Sequence, residues 1–167
     1  MLKETVRKST VGNVMRRTVV IFFLLLVTGL TCVFARDFYT LQGQKLAAEE
    51  LAAPDKTILL FWTTWCPYCR DQLKFLGSRC AELERQGITV RLVNIGESQS
   101  QVMGFISKMG LGHCEVVLDE RGSLAEKFGI LGFPTYLFYH KGREMTRANV
   151  LSEPALNKAL EVFNTAR

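Results

Sequence analysis

The sequence predicts an α/β fold in which a central mixed sheet is flanked by helices, with an N-terminal transmembrane or signal helix before it. Short apolar runs rich in β-branched and aromatic residues alternate with segments whose apolar residues recur at helical spacing. Two such runs near the C-terminus are joined by a tight turn, which indicates an antiparallel hairpin. Residues 36–167 are enough chain for one domain with a substantial core.

The start of the chain indicates an export signal or a membrane anchor. Residues 1–17 form a basic leader, predicted to be cytoplasmic, and residues 18–35 contain no charged side chain. A helix of this length, at about 1.5 Å per residue, is just long enough to cross the hydrocarbon core of a bilayer. Because basic flanks stay in the cytoplasm, residues 36–167 are predicted to face the periplasm or other extracytoplasmic side of the inner membrane.

Removal of this segment is left open by the sequence. The basic leader is long for a signal peptide, which favours a retained single-pass anchor. Val33, Phe34 and Ala35 also fit a small-residue cleavage pattern. Cleavage after Ala35 would instead leave a soluble periplasmic protein.

The charge distribution argues against a nucleic-acid partner. The whole chain has a formal net charge of +5, and residues 1–35 carry five basic residues and one acidic residue, or +4. Residues 36–167 therefore carry only +1, because the basic residues concentrate at the predicted membrane end.

Apolar runs and helix breakers predict four elements in the first half of the domain. Residues 42–44 read as a turn, and Pro54 ends the short helical segment that follows. Gly87 stands where a left-handed residue commonly ends a helix. The predicted elements are the strand Phe38–Leu41, the helix Ala47–Ala53, the strand Thr57–Trp62 and the helix Pro67–Gln86.

The second half of the domain predicts seven more elements. Residues 89–94 are apolar enough to suit a strand buried on both faces. Ser152 is a suitable N-cap for the final helix, and Pro154 suits its first turn. The predicted elements are the strand Thr89–Asn94, the helix Gln99–Met109, the strand Glu115–Asp119, the helix Ser123–Phe128, the hairpin strands Pro134–Tyr139 and Glu144–Val150, and the helix Glu153–Phe163.

The most informative motif is a C-x-x-C at residues 66–69, at the junction between a predicted strand and a predicted helix. A thiolate at Cys66 would face the unpaired N–H groups and the positive end of that helix, which stabilise negative charge. Pro67 suits the first helical position because its φ is already helical. The sequence therefore predicts Cys66 as a nucleophile at neutral pH and Cys69 as the cysteine that resolves a mixed disulfide.

Two other interpretations of the pair are weaker. Zinc needs four ligands, and the remaining candidates, Cys80, Cys114, His113 and His140, include no second C-x-x-C. A purely structural bridge within one helical turn would close too short a loop to stabilise much. We therefore expect redox exchange, with no metal and no cofactor.

A second motif, G-I-L-G-F-P-T-Y-L-F-Y, occupies residues 129–139. Together with W-C-P-Y-C at residues 65–69, it resembles the thioredoxin superfamily, and the resemblance covers roughly residue 38 to the C-terminus. It implies a thioredoxin-like fold and a cis peptide bond before Pro134, which would lie against the cysteine pair. The backbone of Phe133 could then pair with an extended substrate.

The predicted helix and strand at residues 99–119 form an inserted element that a minimal thioredoxin does not have. This element resembles the TlpA, ResA and CcmG group of membrane-anchored thiol–disulfide oxidoreductases. The resemblance implies exchange with exported proteins that bear thiols or disulfides, and it favours a reductive task such as cytochrome c maturation, with a membrane thiol carrier as electron source. The alternatives are a disulfide oxidase or isomerase of exported proteins, or a non-enzymatic tethered peptide-binding module.

Five residues are predicted to bind the substrate around Cys66. The superfamily's surface tryptophan corresponds to the position before the first cysteine, and with Phe133 it would form an apolar platform for an extended polypeptide. The predicted set is Trp65, Pro67, Tyr68, Phe133 and Pro134.

Three positions depart from the pattern of the superfamily. Leu60 stands where thioredoxin has a buried aspartate that assists proton transfer, and Gln72 stands where the exported group often has a glutamate. Lys74 replaces a helix-kinking proline, and Asp71 is expected on another helix face. The general base for Cys69 is therefore left open.

Two further cysteines and both histidines have simpler interpretations. Cys80 lies on the apolar face of a predicted helix and Cys114 adjoins a predicted strand, so we expect two buried thiols in preference to a bridge between them. His113 and His140 are expected in turns.

Overall fold

The computed structural model describes residues 37–165, in which seven strands form one mixed sheet. The strands lie in the order β2-β1-β5-β4-β3-β6-β7. The central three, β5, β4 and β3, are parallel, and every other neighbouring pair is antiparallel. Their bounds are β1 Asp37–Thr40, β2 Lys45–Ala47, β3 Lys56–Trp62, β4 Ile88–Ile95, β5 Glu115–Asp119, β6 Thr135–His140 and β7 Arg143–Ala148.

Helices cover both faces of this sheet. The larger core lies between the sheet and α1, α2, α3 and α5, and the smaller core lies between the opposite face and α4 together with the segment after β2. The helices are α1 Pro67–Gly77, α2 Cys80–Arg85, α3 Gln99–Met109, α4 Ser123–Lys127 and α5 Glu153–Thr165. The predicted α/β architecture, a mixed sheet flanked by helices, is confirmed.

Within residues 37–165, none of the helices combines the length and apolar character needed to span a bilayer. The predicted leader and the predicted anchor at residues 18–35 lie outside the described residues.

The central strands have the burial that their composition predicts. Every residue of β3 from Thr57 to Trp62 is buried, as are the residues of β4 from Val90 to Asn94. Parallel strands covered by helices on both faces require apolar residues on both sides, which explains their near-continuous apolar sequence. The inserted element is also present, because α3 connects β4 to its parallel neighbour β5.

The predicted helix Ala47–Ala53 is wrong. Residue 47 ends the short strand β2, and the residues after it form turns. The buried Arg91 guanidinium reaches this segment, and its Nη1 donates to the carbonyl oxygens of Glu50 at 2.8 Å and Leu51 at 2.7 Å. So short a segment before Pro54 is a marginal helix, and tertiary hydrogen bonds from Arg91 take its carbonyls instead.

The predicted helix Pro67–Gln86 is also wrong in one respect, because it is interrupted at Ser78 and Arg79 between α1 and α2. The carbonyl oxygen of Gly77 lies 3.0 Å from His113 Nε2. Leu111 packs so closely against Gly77 that a Cβ there would overlap its side chain. The loop before β5 therefore packs against the C-terminal end of α1, where the helix is interrupted.

Candidate active site

The C-x-x-C lies where β3 ends and α1 begins. Cys66 is the N-cap of α1 in an extended conformation, and Pro67 occupies the first helical position. The backbone N–H of Cys69 donates to Cys66 Sγ at 3.2 Å, so the sulfur accepts one of the hydrogen bonds that the helix start leaves free. Both cysteines are free thiols, and Cys66 is 4% exposed whereas Cys69 is fully buried.

The loop before β6 closes over this sulfur. The peptide bond between Phe133 and Pro134 is cis, as the resemblance to the thioredoxin superfamily implies. The carbonyl oxygen of Phe133 lies 3.7 Å from Cys66 Sγ. The structure therefore brings together the two motifs that are more than sixty residues apart in the sequence.

Exposed apolar side chains lie on the two chain segments that meet at Cys66. Trp65 is 67% exposed and Tyr68 is 75% exposed, and the Trp65 ring stands edge-on to Phe133 with ring centroids 6.3 Å apart. Leu131, which sequence reasoning did not single out, is fully exposed on the loop that leads to Pro134. The sequence feature that could have identified it is a large aliphatic residue between two glycines in a predicted loop. We call Trp65, Tyr68, Leu131 and Phe133 the apolar rim.

Cys69 lies in an environment that favours its neutral form. Burial, followed by the hydrogen bond with Cys66, raises the pKa of the Cys69 thiol to about 12, although the backbone N–H of Thr63 acts in the opposite direction. The thiol is therefore protonated at neutral pH.

Glu97 is a buried acid that sequence reasoning missed. It follows Gly96 in the loop after β4, and its side chain reaches the segment that leads to Cys66. Oε2 accepts the backbone N–H of Thr64 and the side-chain amide of Asn94, each at 2.7 Å, and Oε1 accepts the Thr64 hydroxyl. The sequence feature that could have identified it is an acidic residue in the loop that follows a buried strand.

Leu60, Gln72 and Lys74 are the residues at the three positions that depart from the superfamily pattern. Leu60 is buried in the larger core. Gln72 Oε1 accepts the hydroxyl of Tyr136 at 3.0 Å and the backbone N–H of Leu151 at 2.7 Å, so it ties α1 to β6 and to the chain before α5. Asp71 is exposed on another face of α1, as expected, and Lys74 is exposed.

The expectation of two separate buried thiols at Cys80 and Cys114 is wrong, because the structure joins them in a disulfide with Cα atoms 5.8 Å apart. Cys80 is the first residue of α2 and Cys114 directly precedes β5, so only folding brings them together. His113 is beside them, and its ligand atom and both sulfurs lie within 4.8 Å of one another. His140 is not in a turn but is the buried last residue of β6, with Nε2 3.8 Å from Asp55.

The sheet order, the free cysteine pair at a helix start and the adjacent cis-proline define the class of thioredoxin-like thiol–disulfide oxidoreductases. Within this class, the chain belongs to the AhpC/TSA family, whose model matches residues 33–149.

Curated relatives have names that agree with this class. The chain is 32% identical to sporulation thiol-disulfide oxidoreductase A of Bacillus subtilis over 125 residues, which cover 70% of this chain and 74% of the relative. It is 29% identical to the thiol:disulfide interchange protein DsbE of Escherichia coli over 101 residues, which cover 60% of this chain and 52% of the relative. The protein is thus an enzyme, a thioredoxin-like thiol–disulfide oxidoreductase.

Solved structures share the fold. The crystal structure of StoA from Bacillus subtilis matches with a TM-score of 0.63 at 25% identity, covering 75% of this chain and 95% of that one. A secreted disulfide oxidoreductase of Mycobacterium tuberculosis, homologous to DsbE, matches with a TM-score of 0.64 at 22% identity, covering 77% of this chain and 96% of that one.

Proposed function

We propose that this enzyme is an exported, membrane-tethered oxidoreductase that exchanges a Cys66–Cys69 dithiol or disulfide with other exported proteins. Cys66 forms the mixed disulfide, and Cys69 resolves it. In the reductive direction the Cys66 sulfur attacks a substrate disulfide and one substrate sulfur leaves as a thiolate. Cys69 then loses its proton to solvent and attacks Cys66, and the second substrate sulfur leaves with the electron pair of the broken bond.

The observation that carries this proposal is the unequal setting of the two cysteines. Cys66 Sγ is the N-cap of α1, where it accepts a backbone N–H and reaches the surface beside the cis-proline loop. Cys69 is fully buried with a raised thiol pKa. A thiolate at the helix start is the better nucleophile, and the buried thiol reacts only with the sulfur next to it.

The substrate is proposed to be an extended segment of an exported protein that carries a cysteine. The apolar rim offers aromatic and aliphatic contacts for residues beside that cysteine, and the cis-proline loop offers the backbone of Phe133. Trp65, Pro67, Tyr68, Phe133 and Pro134 are the substrate-binding residues in this proposal. The haem-binding cysteines of an apocytochrome c are one such substrate, and a membrane thiol carrier would supply the electrons.

Trapping the mixed disulfide tests the proposal. In full-length protein, Cys69→Ser removes the resolving thiol, so a partner should remain bound to Cys66 and appear as a reductant-sensitive adduct in cells. The matched control, Cys66→Ser, should trap nothing. Equal trapping by both variants, or by neither, would contradict the assigned roles.

Thiol labelling in cells tests the direction of electron flow. Acid quenching followed by alkylation reports whether the Cys66–Cys69 pair is mostly dithiol or mostly disulfide at steady state. A reductant should be found mainly as the dithiol. A pair found mainly as the disulfide would favour the oxidase alternative.

Protease treatment of intact spheroplasts tests the location. The proposal places residues 36–167 outside the cytoplasmic membrane, tethered through residues 18–35, so the domain should be digested from outside and should sediment with membranes. If the domain is digested only after the cells are lysed, export is contradicted. If the domain is found in the soluble fraction without detergent, the segment has been cleaved after Ala35.

A further inference from the structure

A cluster of hydrogen-bonded polar side chains lies at the ends of β3 and β4, next to the segment that leads to Cys66. Glu97, 7% exposed, is its acid, and it accepts hydrogen bonds from Thr64 and Asn94. Among residues 37–165, no basic side chain forms an ion pair with this carboxylate. A buried carboxylate that is held by neutral donors alone keeps its negative charge uncompensated, which is costly for folding.

Buried polar atoms without a partner occur on the same two chain segments, the end of β3 and the end of β4. The three buried side-chain polar atoms that have no hydrogen-bond partner among the described residues are Trp62 Nε1, Thr63 Oγ1 and Asn94 Oδ1. Trp62 and Asn94 are direct partners in the parallel pairing of β3 with β4. Unpaired buried groups of this kind destabilise a fold, so their presence beside the cysteine pair is consistent with a role other than stability.

Two adjacent residues connect this cluster to the two cysteines. Thr64, whose N–H and hydroxyl both bind Glu97, lies two residues before Cys66. The backbone of Thr63, the residue before it, lowers the pKa of the Cys69 thiol. The Glu97 carboxylate therefore holds the segment that sets the position of both cysteines, and its negative charge adds to the effects that raise the pKa of the Cys69 thiol.

We propose that Glu97 is a positioning residue that retards the resolving step: it fixes the strand-to-helix segment through Thr64 and opposes the formation of a thiolate at Cys69, so that the mixed disulfide at Cys66 lives longer. This proposal rests on the proposed roles of the two cysteines. A longer-lived mixed disulfide gives an incoming partner time to attack it, which suits an enzyme that hands disulfides between proteins.

Other groups that face Cys69 do not supply this effect. On α1 the nearest ionisable group is Cys66, which forms the mixed disulfide and carries no charge in that state. From β6, Tyr136 has a pKa raised by burial and by Cys69, so it is neutral. Arg70 on α1 donates to the backbone carbonyl of Thr64 at 3.3 Å from an exposed position, where solvent screens its charge. The buried negative charge acting on Cys69 is thus that of Glu97.

The proposal predicts the sign of a kinetic effect. The Glu97→Gln variant can keep the geometry, because its amide oxygen can accept from Thr64 N–H and Asn94, and the Thr64 hydroxyl can turn to accept from the amide nitrogen. It removes only the charge. In full-length protein that carries Cys32→Ser and whose Cys66–Cys69 pair is reduced, Cys66 displaces a first thionitrobenzoate from Ellman's reagent and Cys69 then displaces the second from the mixed disulfide.

Stopped-flow absorbance of the two phases between pH 6 and pH 10 is the test. The second phase should be about threefold to tenfold faster in Glu97→Gln than in the natural protein, with its pH profile moved to lower pH, as expected for loss of one nearby buried charge. The Glu97→Asp variant should restore slow release. Glu126→Gln, which neutralises an exposed acid on α4, should leave both phases unchanged.

The outcomes separate this inference from the proposed function. A first phase that survives Cys66→Ser would overturn the roles of the cysteines themselves. A normal first phase with a second phase that is unchanged in Glu97→Gln would overturn only the effect of Glu97. Slower release in Glu97→Gln would also overturn it, because that result is expected if the carboxylate accepts the proton of Cys69.

Discussion

Among single residues, Cys69 is the one whose ionisation links the chemistry of the site to the stability of the fold. Burial holds the thiol in its neutral form in the folded protein, with a pKa of about 12 against an ordinary value of 9.0. Unfolding exposes the thiol to water and releases that constraint. At a pH between these two pKa values the unfolded chain binds fewer protons than the folded protein, so the free energy of unfolding falls as pH rises.

We therefore predict that the reduced protein loses stability from about pH 9 upward, where the unfolded thiol ionises, and that this loss extends toward pH 12. Urea unfolding at successive pH values measures it. The Cys69→Ala variant should show a shallower decline of stability. Part of the decline should remain, because burial also raises the pKa of Tyr139 to about 12. Identical slopes in both proteins would show that Cys69 makes no such contribution.

Trp65 gives a second prediction for a single side chain. Because it is 67% exposed and contacts Phe133 edge-on, its replacement by alanine removes surface without opening the core. Turnover of a protein disulfide should fall about fivefold to thirtyfold, as expected when an aromatic contact of about 1–2 kcal/mol is lost, while turnover of a small disulfide should change little.

The comparison of kcat/KM for the two substrates separates the two roles of Trp65. Leu131→Ser, which alters a fully exposed member of the apolar rim, should show the same selectivity with a smaller loss. An equal loss on both substrates would mean that Trp65 supports the fold instead of binding the partner.

The elements of the fold show where local sequence patterns were sufficient. Gln99–Met109 and Glu115–Asp119 have the predicted bounds, because each presents one clear apolar pattern between polar breakers. The segment 47–53 has helix-forming residues, but Arg91, a residue from a strand far along the chain, binds its carbonyls. A window of local sequence contains no information about that contact.

The break between α1 and α2 has the same kind of cause. The pattern of apolar residues continues through Gly77, and only the tertiary contact with Leu111 and His113 interrupts the helix. At the site, the cysteine pair and Pro134 could be predicted because they are motifs in themselves. Glu97 and Leu131 could not, because their importance depends on which side chains the fold places near them.

Gly77 provides a test of this close contact between elements. A Cβ at Gly77 would overlap the Leu111 side chain, so Gly77→Ala should lower the free energy of unfolding by about 1–3 kcal/mol as Leu111 is forced aside. Gly104→Ala in α3 is the matched control, since nothing lies within 4 Å of its Cβ position. It should raise the free energy of unfolding by about 0.5–1 kcal/mol. Urea titration of both variants measures the difference, and a neutral Gly77→Ala would contradict the close packing.

At the scale of the whole molecule, the disulfide between Cys80 and Cys114 connects α2 to the residue before β5. It closes a loop with a sequence separation of 34, and it lies beyond the C-terminal end of α1, whereas Cys66 caps the N-terminal end of that helix. The disulfide and the free thiols of Cys66 and Cys69 are thus separated by the length of α1.

We predict that the double variant Cys80→Ser plus Cys114→Ser unfolds with a free energy lower by about 4 kcal/mol, the chain-entropy value for a loop of this size. Its first-phase reaction with Ellman's reagent should be unchanged, because Cys66 is intact. Equilibrium unfolding without reductant measures the stability. If the natural protein is equally stable before and after full reduction of this bond, the predicted role is wrong.

The order of the strands also determines how copies of this enzyme behave when they are crowded together. The two outermost strands are β2, with three residues, and β7, which carries Arg143, Glu144 and Arg147. Short or charged borders are poor templates for strand addition by a neighbour, so the molecule is protected against sheet-to-sheet aggregation.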